Sequence, residues 1–352
     1  MIRVLITEDS GLVCKLMKTL LESDPNIKVV GWAKNGRECI DKVKVLKPNV
    51  ITMDIHMPIM DGYEATRTIM QDMPTAILVV SAVVKGDAAI VFKLLKAGAL
   101  DVIEKPVIQK GMPLNKMGNE VIQKVKAVAK VRPFRKYHHR SEPPAQVHEA
   151  EKRPYACFGK PINKRQSGIL AIGASTGGPP VLSYILKTLP KNFSLPIVVA
   201  QHIFHGFTTG LVSWLEKECR IKVKVGTNYE RLERGTVYLA PDDRHMGVTN
   251  EKRILISDKA PISGHRPSVD FLMNSVAPVY QEACIGVLLT GMGRDGANGL
   301  MAIKTHGGHT IGQDEKSCVI FGMPKAAMDL GATNKICSLE EIPSEIVNWT
   351  KR

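Results

Sequence analysis

Three residues of the C-terminal half could together cut an ester or an amide. Ser175 sits in Gly173-Ala174-Ser175-Thr176-Gly177, after the apolar run GILAI and before a helical pattern. A G-x-S-x-G run in that setting puts a serine on a tight strand-to-helix turn, its hydroxyl exposed beside helix N-terminal amides. The same glycine-rich turn could instead cradle a phosphate. A nucleophilic serine needs a base, and the base needs an orienting carboxylate. His202 closes PIVVAQH and Asp295 follows IGVLLTGMGR, both at strand C-terminal ends, where Ser175 also sits. The rival bases are His205, His245, His265, His306 and His309. His205 and His306 flank helical segments, while His245 and His265 fall in loops near a hairpin and read as solvated or structural. Asp242, Asp243, Asp270 and Asp314 are the rival acids. The chain order Ser, His, Asp is not the Ser, Asp/Glu, His order of α/β-hydrolases, which points to another α/β fold with the same chemistry.

A second constellation lies in the N-terminal half. Glu8, Asp9, Asp54, Ser81 and Lys105 each close an apolar run, and in an open parallel sheet such ends converge on one crevice. Three carboxylates packed together repel one another and call for a cation. Oxygen ligands at low count suit Mg2+, which keeps several waters. A lysine beside them would pair with an incoming anion, and a serine hydroxyl would donate to it. Those parts make a site for moving a phosphoryl group onto Asp54.

The elements that must position these residues are legible as two α/β units. RVLITED, NVITMD, AILVVS and DVIEKP read as buried parallel strands, flanked by segments such as GLVCKLMKTLLES with apolar residues three and four apart. Leu114, Met117, Val121, Val125 and Val128 keep the helical spacing. In the second half GILAIG, PIVVAQ, IGVLLTG and HTIGQ read as strands, with helices near PPVLSYILKTL, GFTTGLVSWLEKE, ANGLMAIKTH and PKAAMDL. VYLAP with MGVTNEKRILI suggests a small antiparallel hairpin. The expected fold class is α/β, with two doubly wound parallel sheets.

The chain has 352 residues and a formal net charge of +14, but the charge is not spread evenly. Residues 124–166 hold 12 basic and 3 acidic residues, so most of the excess lies between two nearly neutral parts. With Pro143, Pro144 and Pro154 this reads as a mobile basic linker over 126–166, joining units 1–125 and 167–352. The charge alone would suit a DNA-binding output, which its location and the lack of a helix-turn-helix pattern oppose. A non-catalytic adaptor is opposed by the intact Ser, His and Asp. No signal peptide or membrane-spanning run is visible, and the seven cysteines form no C-x-x-C pair, so reduced thiols in a cytoplasmic protein are expected.

The N-terminal run resembles a response-regulator receiver domain: the acidic pair Glu8-Asp9, phosphoacceptor Asp54 in MDIHMPIMDG, switch residue Ser81 in VVSA, and Lys105-Pro106. It departs in having Glu-Asp for the acidic pair and Val102 where many receivers carry a switching aromatic. His56 stands beside the acceptor. Farther on, IGASTGGP, AQHIFHGFT, YLAPDDRHM, HRPSVD, LLTGMGRDGANG and GQDEKSCVIFGMP resemble, in order, the catalytic domain of the protein-glutamate methylesterase family, the CheB-type chemotaxis response regulators. The resemblance implies Ser175 as nucleophile, His202 as base, Asp295 as its orienter, Thr176 as a support for the histidine ring, and the Met292 amide as an oxyanion donor. It also implies hydrolysis of glutamyl methyl esters on methyl-accepting chemoreceptors, deamidation of their glutamines, and a chemotaxis histidine kinase as phosphodonor. Metal at Glu8, Asp9 and Asp54 would be Mg2+; no nucleic acid or membrane insertion is implied. The first unit is expected to pack across the mouth of the Ser175 crevice, with the loop after Ser81 and the surface near Lys105 carrying any change.

Overall fold

The computed structural model describes residues 1–82, 88–106, 114–131 and 168–351. The first sheet has five parallel strands, β1 (Ile2–Thr7), β2 (Ile27–Ala33), β3 (Val50–Asp54), β4 (Ala76–Ser81) and β5 (Asp101–Glu104), in the order β2-β1-β3-β4-β5. β3 and β4 are buried along their whole length, as continuous apolar runs between two helical layers must be. The helices are α1 (Gly11–Glu22), α2 (Gly36–Leu46), α3 (Gly62–Asp72), α4 (Ala88–Ala97) and α5 (Leu114–Val128). Ser10, Asn35 and Asp61 cap α1, α2 and α3 by accepting from the third amide onward.

The second sheet has seven parallel strands: β6 (Ile169–Ala174), β7 (Ile197–Gln201), β8 (Lys222–Val225), β9 (Thr236–Leu239), β12 (Cys284–Leu288), β13 (His309–Gln313) and β14 (Lys335–Cys337), in the order β14-β13-β12-β6-β7-β9-β8. The strand order reverses between β6 and its neighbours β7 and β12, which opens a crevice at the C-terminal ends. Around the sheet lie α6 (Gly178–Thr188), α7 (Thr208–Glu218), α8 (Val269–Tyr280), α9 (Ala297–Thr305), α10 (Met323–Asp329) and α11 (Glu341–Lys351). Two parallel α/β sheets are thus present.

The hairpin differs in its parts. It is made by β10 (His245–Val248) and β11 (Ile254–Ser257), while VYL belongs to β9 in the main sheet. All four β9 residues are buried, because the strand is sandwiched between β7 and β8 and covered on both faces, whereas β11 is half-exposed. β8, α8 and α11 were not read from the sequence; Lys222-Val223-Lys224-Val225 is short and alternates charge with apolar residues at a sheet edge.

The two units meet on α4, the start of β5 and α5. Phe92 stacks on Trp214 at 5.4 Å, Lys96 pairs with Glu218 at 2.5 Å, and Lys124 lies 4.6 Å above the Phe204 ring. Phe92 is fully buried and belongs to one apolar cluster with residues of α6 and α7. As expected, the first unit packs at the Ser175 crevice, which Asn119, Glu120, Gln123 and Lys124 of α5 help to line, while α4 supplies the apolar contact surface. The segment after Ser81 (83–87) and most of the basic linker (132–166) lie outside the described residues. Among the described residues no helix is long and apolar enough to cross a membrane.

Candidate active site and phosphoacceptor site

β6 ends at Ala174, and the chain turns through Ser175, Thr176 and Gly177 into α6. Gly177 has φ 77°, and a Cβ there would lie 2.5 Å from Val319, so the turn tolerates only glycine. A Cβ on Gly178 would come 2.1 Å from Gln201 Oε1. The Ser175 amide donates to the Thr290 carbonyl at 3.0 Å, tying the nucleophile turn to the loop after β12. The Gln201 amide nitrogen donates to the carbonyls of both Ser175 and His202, each at 2.9 Å. One side chain thus clamps two strand ends together, and β6 and β7 are adjacent in the sheet.

His202 Nε2 lies 2.8 Å from Asp295 Oδ2. Asp295 also accepts from Ser268 Oγ (2.8 Å), the Val269 amide (2.7 Å) and the Asp270 amide (3.0 Å). These amides open α8, whose positive N-terminal end favours an anion. Burial would raise the Asp295 pKa, but the His202 hydrogen bond and charge, with the two amides, outweigh it and hold the carboxyl below its ordinary value. An ionised Asp295 accepts a hydrogen bond from Nε2–H, which leaves the lone pair on Nδ1. His202 Nδ1 is buried and, among the described residues, has no hydrogen-bond partner. Ser175, His202, His265 and Met292 share a cavity of about 430 Å3. Among the described residues no hydrogen bond joins Ser175 Oγ to His202 Nδ1, which is common before substrate binds.

The other expected site residues fall as follows. Met292 lines the same cavity as Ser175 and is exposed. Thr176 does not hold the histidine ring: its hydroxyl donates to Asp101 Oδ2 of the first unit at 2.8 Å, because that carboxylate is brought against the turn by the docked β5. Asp101 also pairs with Lys124 at 2.9 Å. Asp270 accepts from the amides of Gly296 and Gly299 and ties the start of α8 to the start of α9 beside Asp295. Asp242 accepts from Thr208 at the start of α7, Asp243 pairs with Arg266, and Asp314 accepts from the Ser317 amide. His245 is fully buried between the Ala260 carbonyl and the Ser268 amide. His306 bonds the Ala302 carbonyl and His309 the Glu345 carboxylate; His205 is exposed. His265 lies against His202. Gln201 and Ser268 were missed, although both stand inside the quoted runs AQHIFHGFT and HRPSVD.

At the first sheet, Glu8, Asp9 and Asp54 bring carboxylate oxygens within 4.8 Å of one another. Lys105 Nζ reaches Asp54 Oδ2 at 2.7 Å and Glu8 Oε2 at 3.1 Å. Burial pushes the pKa of both Glu8 and Asp54 up, and Asp54 adds to the effect on Glu8, while Lys105 pulls both down. Crowded, desolvated carboxylates of this kind fit a hard divalent cation. Ser81 lies at the end of β4 with its hydroxyl on the Ala82 carbonyl; Val102 is buried on β5, and His56 is exposed.

Comparison with known proteins gives this geometry a family. The family model for CheB methylesterase matches residues 170–346, and that for the response regulator receiver domain matches residues 4–113. The chain is 39% identical over 347 residues to a Myxococcus xanthus protein named protein-glutamate methylesterase/protein-glutamine glutaminase 4, spanning 99% of this chain and 96% of that one. The chain belongs to the CheB methylesterase family. A Thermotoga maritima protein of the same name is 37% identical over 98% of both chains. The crystal structure of the Thermotoga maritima CheB methylesterase catalytic domain matches with a TM-score of 0.50 at 39% identity, over 52% of this chain and 98% of that one. In this family member, the receiver match covers the acidic crevice and the methylesterase match covers the Ser175 crevice.

Proposed function

We propose that this chain is a phosphorylation-activated hydrolase that removes methyl esters from glutamate side chains of chemoreceptors, releasing methanol, and deamidates receptor glutamines. The observation that carries the reading is the His202–Asp295 pair, which spends Nε2 and leaves a buried, unpartnered Nδ1 in the cavity that Ser175 lines. Ser175 Oγ attacks the γ-carbonyl carbon as His202 Nδ1 takes the hydroxyl proton. His202 then returns that proton to the departing methoxide, giving methanol and a glutamyl-Ser175 ester. Water, deprotonated by His202, cleaves that ester and restores Ser175 and a free carboxylate. A glutamine follows the same course with ammonia leaving. Amides of the Ser175 turn and of Met292 receive the oxyanion. Asp295 stays ionised throughout and steadies the imidazolium.

Residues 1–125 form the receiver, 167–352 the catalytic unit, and 126–166 the basic linker. Asp54 accepts a phosphoryl group from a chemotaxis histidine kinase; Glu8, Asp9 and Asp54 would hold Mg2+, which would supply charge neutralisation at that site. Lys105 and Ser81 then turn to the phosphoryl oxygens. Lys105 directly follows β5, and Asp101 begins it, about 13 Å away at the rise of a strand. A shift of Lys105 is thus transmitted along one strand to the Asp101–Thr176 contact. Asn119, Glu120, Gln123 and Lys124 of α5 line the same cavity as Ser175, so the docked receiver covers the site and undocking admits a receptor helix. Nucleic acid has no part in this scheme, and the chain acts in the cytoplasm. The test is release of methanol from methylated receptor, and of ammonia from glutamine-bearing receptor, by the purified chain. Both should rise with a phosphodonor and Mg2+, and absence of both products would refute the reading.

A further inference from the structure

The mechanism uses one histidine, yet a second is built against it. The rings of His202 and His265 lie parallel, 8° apart, with centroids separated by 4.0 Å. Three anchors fix the position of His265. Its amide and carbonyl both bond to Ile262, at 2.9 and 3.1 Å, across a turn in which Ser263 and Gly264 have φ 51° and 80°. The next residue, Arg266, grips Asp243 through two bonds of 2.9 Å and also reaches the carbonyls of Asp258 and Lys259. His245 holds the same loop through the Ala260 carbonyl. All this rigidity ends in a ring whose Nδ1 is buried with no hydrogen-bond partner among the described residues.

We propose that His265 is a positioning residue for the hydrolysis, its ring fixing the plane of His202 so that Nε2 stays on Asp295 while Nδ1 faces Ser175. The proposal rests on the reading of His202 as the base. The physical need is plain. The torsion that sets an imidazole plane is broad, and one hydrogen bond at Nε2 fixes a point but not the plane. A flat ring stacked against one face removes that freedom. The stack must also tolerate the imidazolium that forms on His202, so His265 has to be neutral. Burial and the neighbouring His202 lower its pKa, as does Lys124 of α5, while Asp295 and the main chain at Ser263 pull the other way; the net direction is down.

The test uses the full-length chain with His265→Ala, His265→Phe and His265→Asn, each assayed for methanol release. His265→Ala should lower kcat about tenfold or more with KM within about twofold, because misplacing a catalytic group acts on the chemical step. His265→Phe keeps the stack and should stay within about threefold of wild type, while His265→Asn keeps polarity without the stack and should follow the alanine variant. Imidazole 15N spectra give a second readout: His202 should be Nε2-protonated in the wild type and His265→Phe, and a mixture of tautomers in His265→Ala. Wild-type kcat in His265→Ala would overturn the proposal, as would rescue by Asn but not Phe. If the wild type itself releases no methanol, the esterase reading fails, and the His202 spectra still decide whether His265 orders the ring.

Discussion

Asp101→Ala should raise the esterase rate of the unphosphorylated chain. Asp101 is nearly buried, and its Oδ2 accepts from Thr176, the residue after the nucleophile, at 2.8 Å. The Lys124 pair on the same carboxylate lies within the receiver, so only the Thr176 bond is lost from the docked state. A hydrogen bond to a charged group contributes about 1.5–3 kcal/mol. Undocking rehydrates both partners, so the lower end, about 1.5 kcal/mol, is the figure to use, and it shifts the docked-to-open ratio a little over tenfold. The Phe92–Trp214 stack and the Lys96–Glu218 pair persist, so the variant should fall between wild type and a chain beginning at Gln166, which has no receiver. The assay is the initial rate of methanol release from methylated receptor, without and with phosphodonor. Stimulation by phosphodonor should shrink by the factor that the basal rate gains, because both draw on one equilibrium. A basal rate within about twofold of wild type, with the Gln166 chain much faster, would remove Asp101 from the latch. A Gln166 chain no faster than wild type would refute occlusion itself.

Other outcomes follow from the same geometry. Gln201→Leu removes the clamp on the Ser175 and His202 carbonyls and should cut kcat about tenfold or more in a folded protein, read by steady-state kinetics beside circular dichroism. Asp295 is held below its ordinary pKa, so its stabilising contribution is complete above about pH 4 and is lost as pH falls through the lower folded value. Asp295→Asn should therefore flatten that part of the acid-unfolding profile, and an unchanged profile would contradict the assignment. Glu8 and Asp54 are crowded and desolvated, so Mg2+ well above its dissociation constant should raise the receiver's melting temperature, and excess EDTA should stop phosphorylation of Asp54 by acetyl phosphate. Phosphate incorporation that continues unchanged in EDTA would dismiss the metal site.

The sequence carried the α/β class and the main strands because buried parallel strands write themselves as unbroken apolar runs. GILAIG and NVITMD are visible for that reason, and the chemistry-bearing residues at their ends come with them. β8 escaped because an edge strand alternates, and β9 was paired wrongly because parallel partners are remote in sequence. His202 and Asp295 stand 93 residues apart, and their 2.8 Å contact exists only once β7 and β12 flank β6. Thr176 shows what sequence could not hold: its partner, Asp101, belongs to the other unit, 75 residues upstream. His265 shows the same limit, since a stack has no sequence period. The docking face was likewise not legible, because the apolar residues of α4 look the same whether they face their own sheet or a neighbouring unit.

Hydrolysis requires Ser175 and His202 to act as one nucleophile–base pair. Ser175→Ala and His202→Ala, measured side by side for methanol release from methylated receptor, test it most directly. Each should lose about 10^4–10^6 in kcat, since removal of either leaves only binding and oxyanion stabilisation. Both variants should keep wild-type folding and phosphodonor uptake at Asp54. Retention of more than about a tenth of the wild-type rate by either would contradict the assignment of that residue.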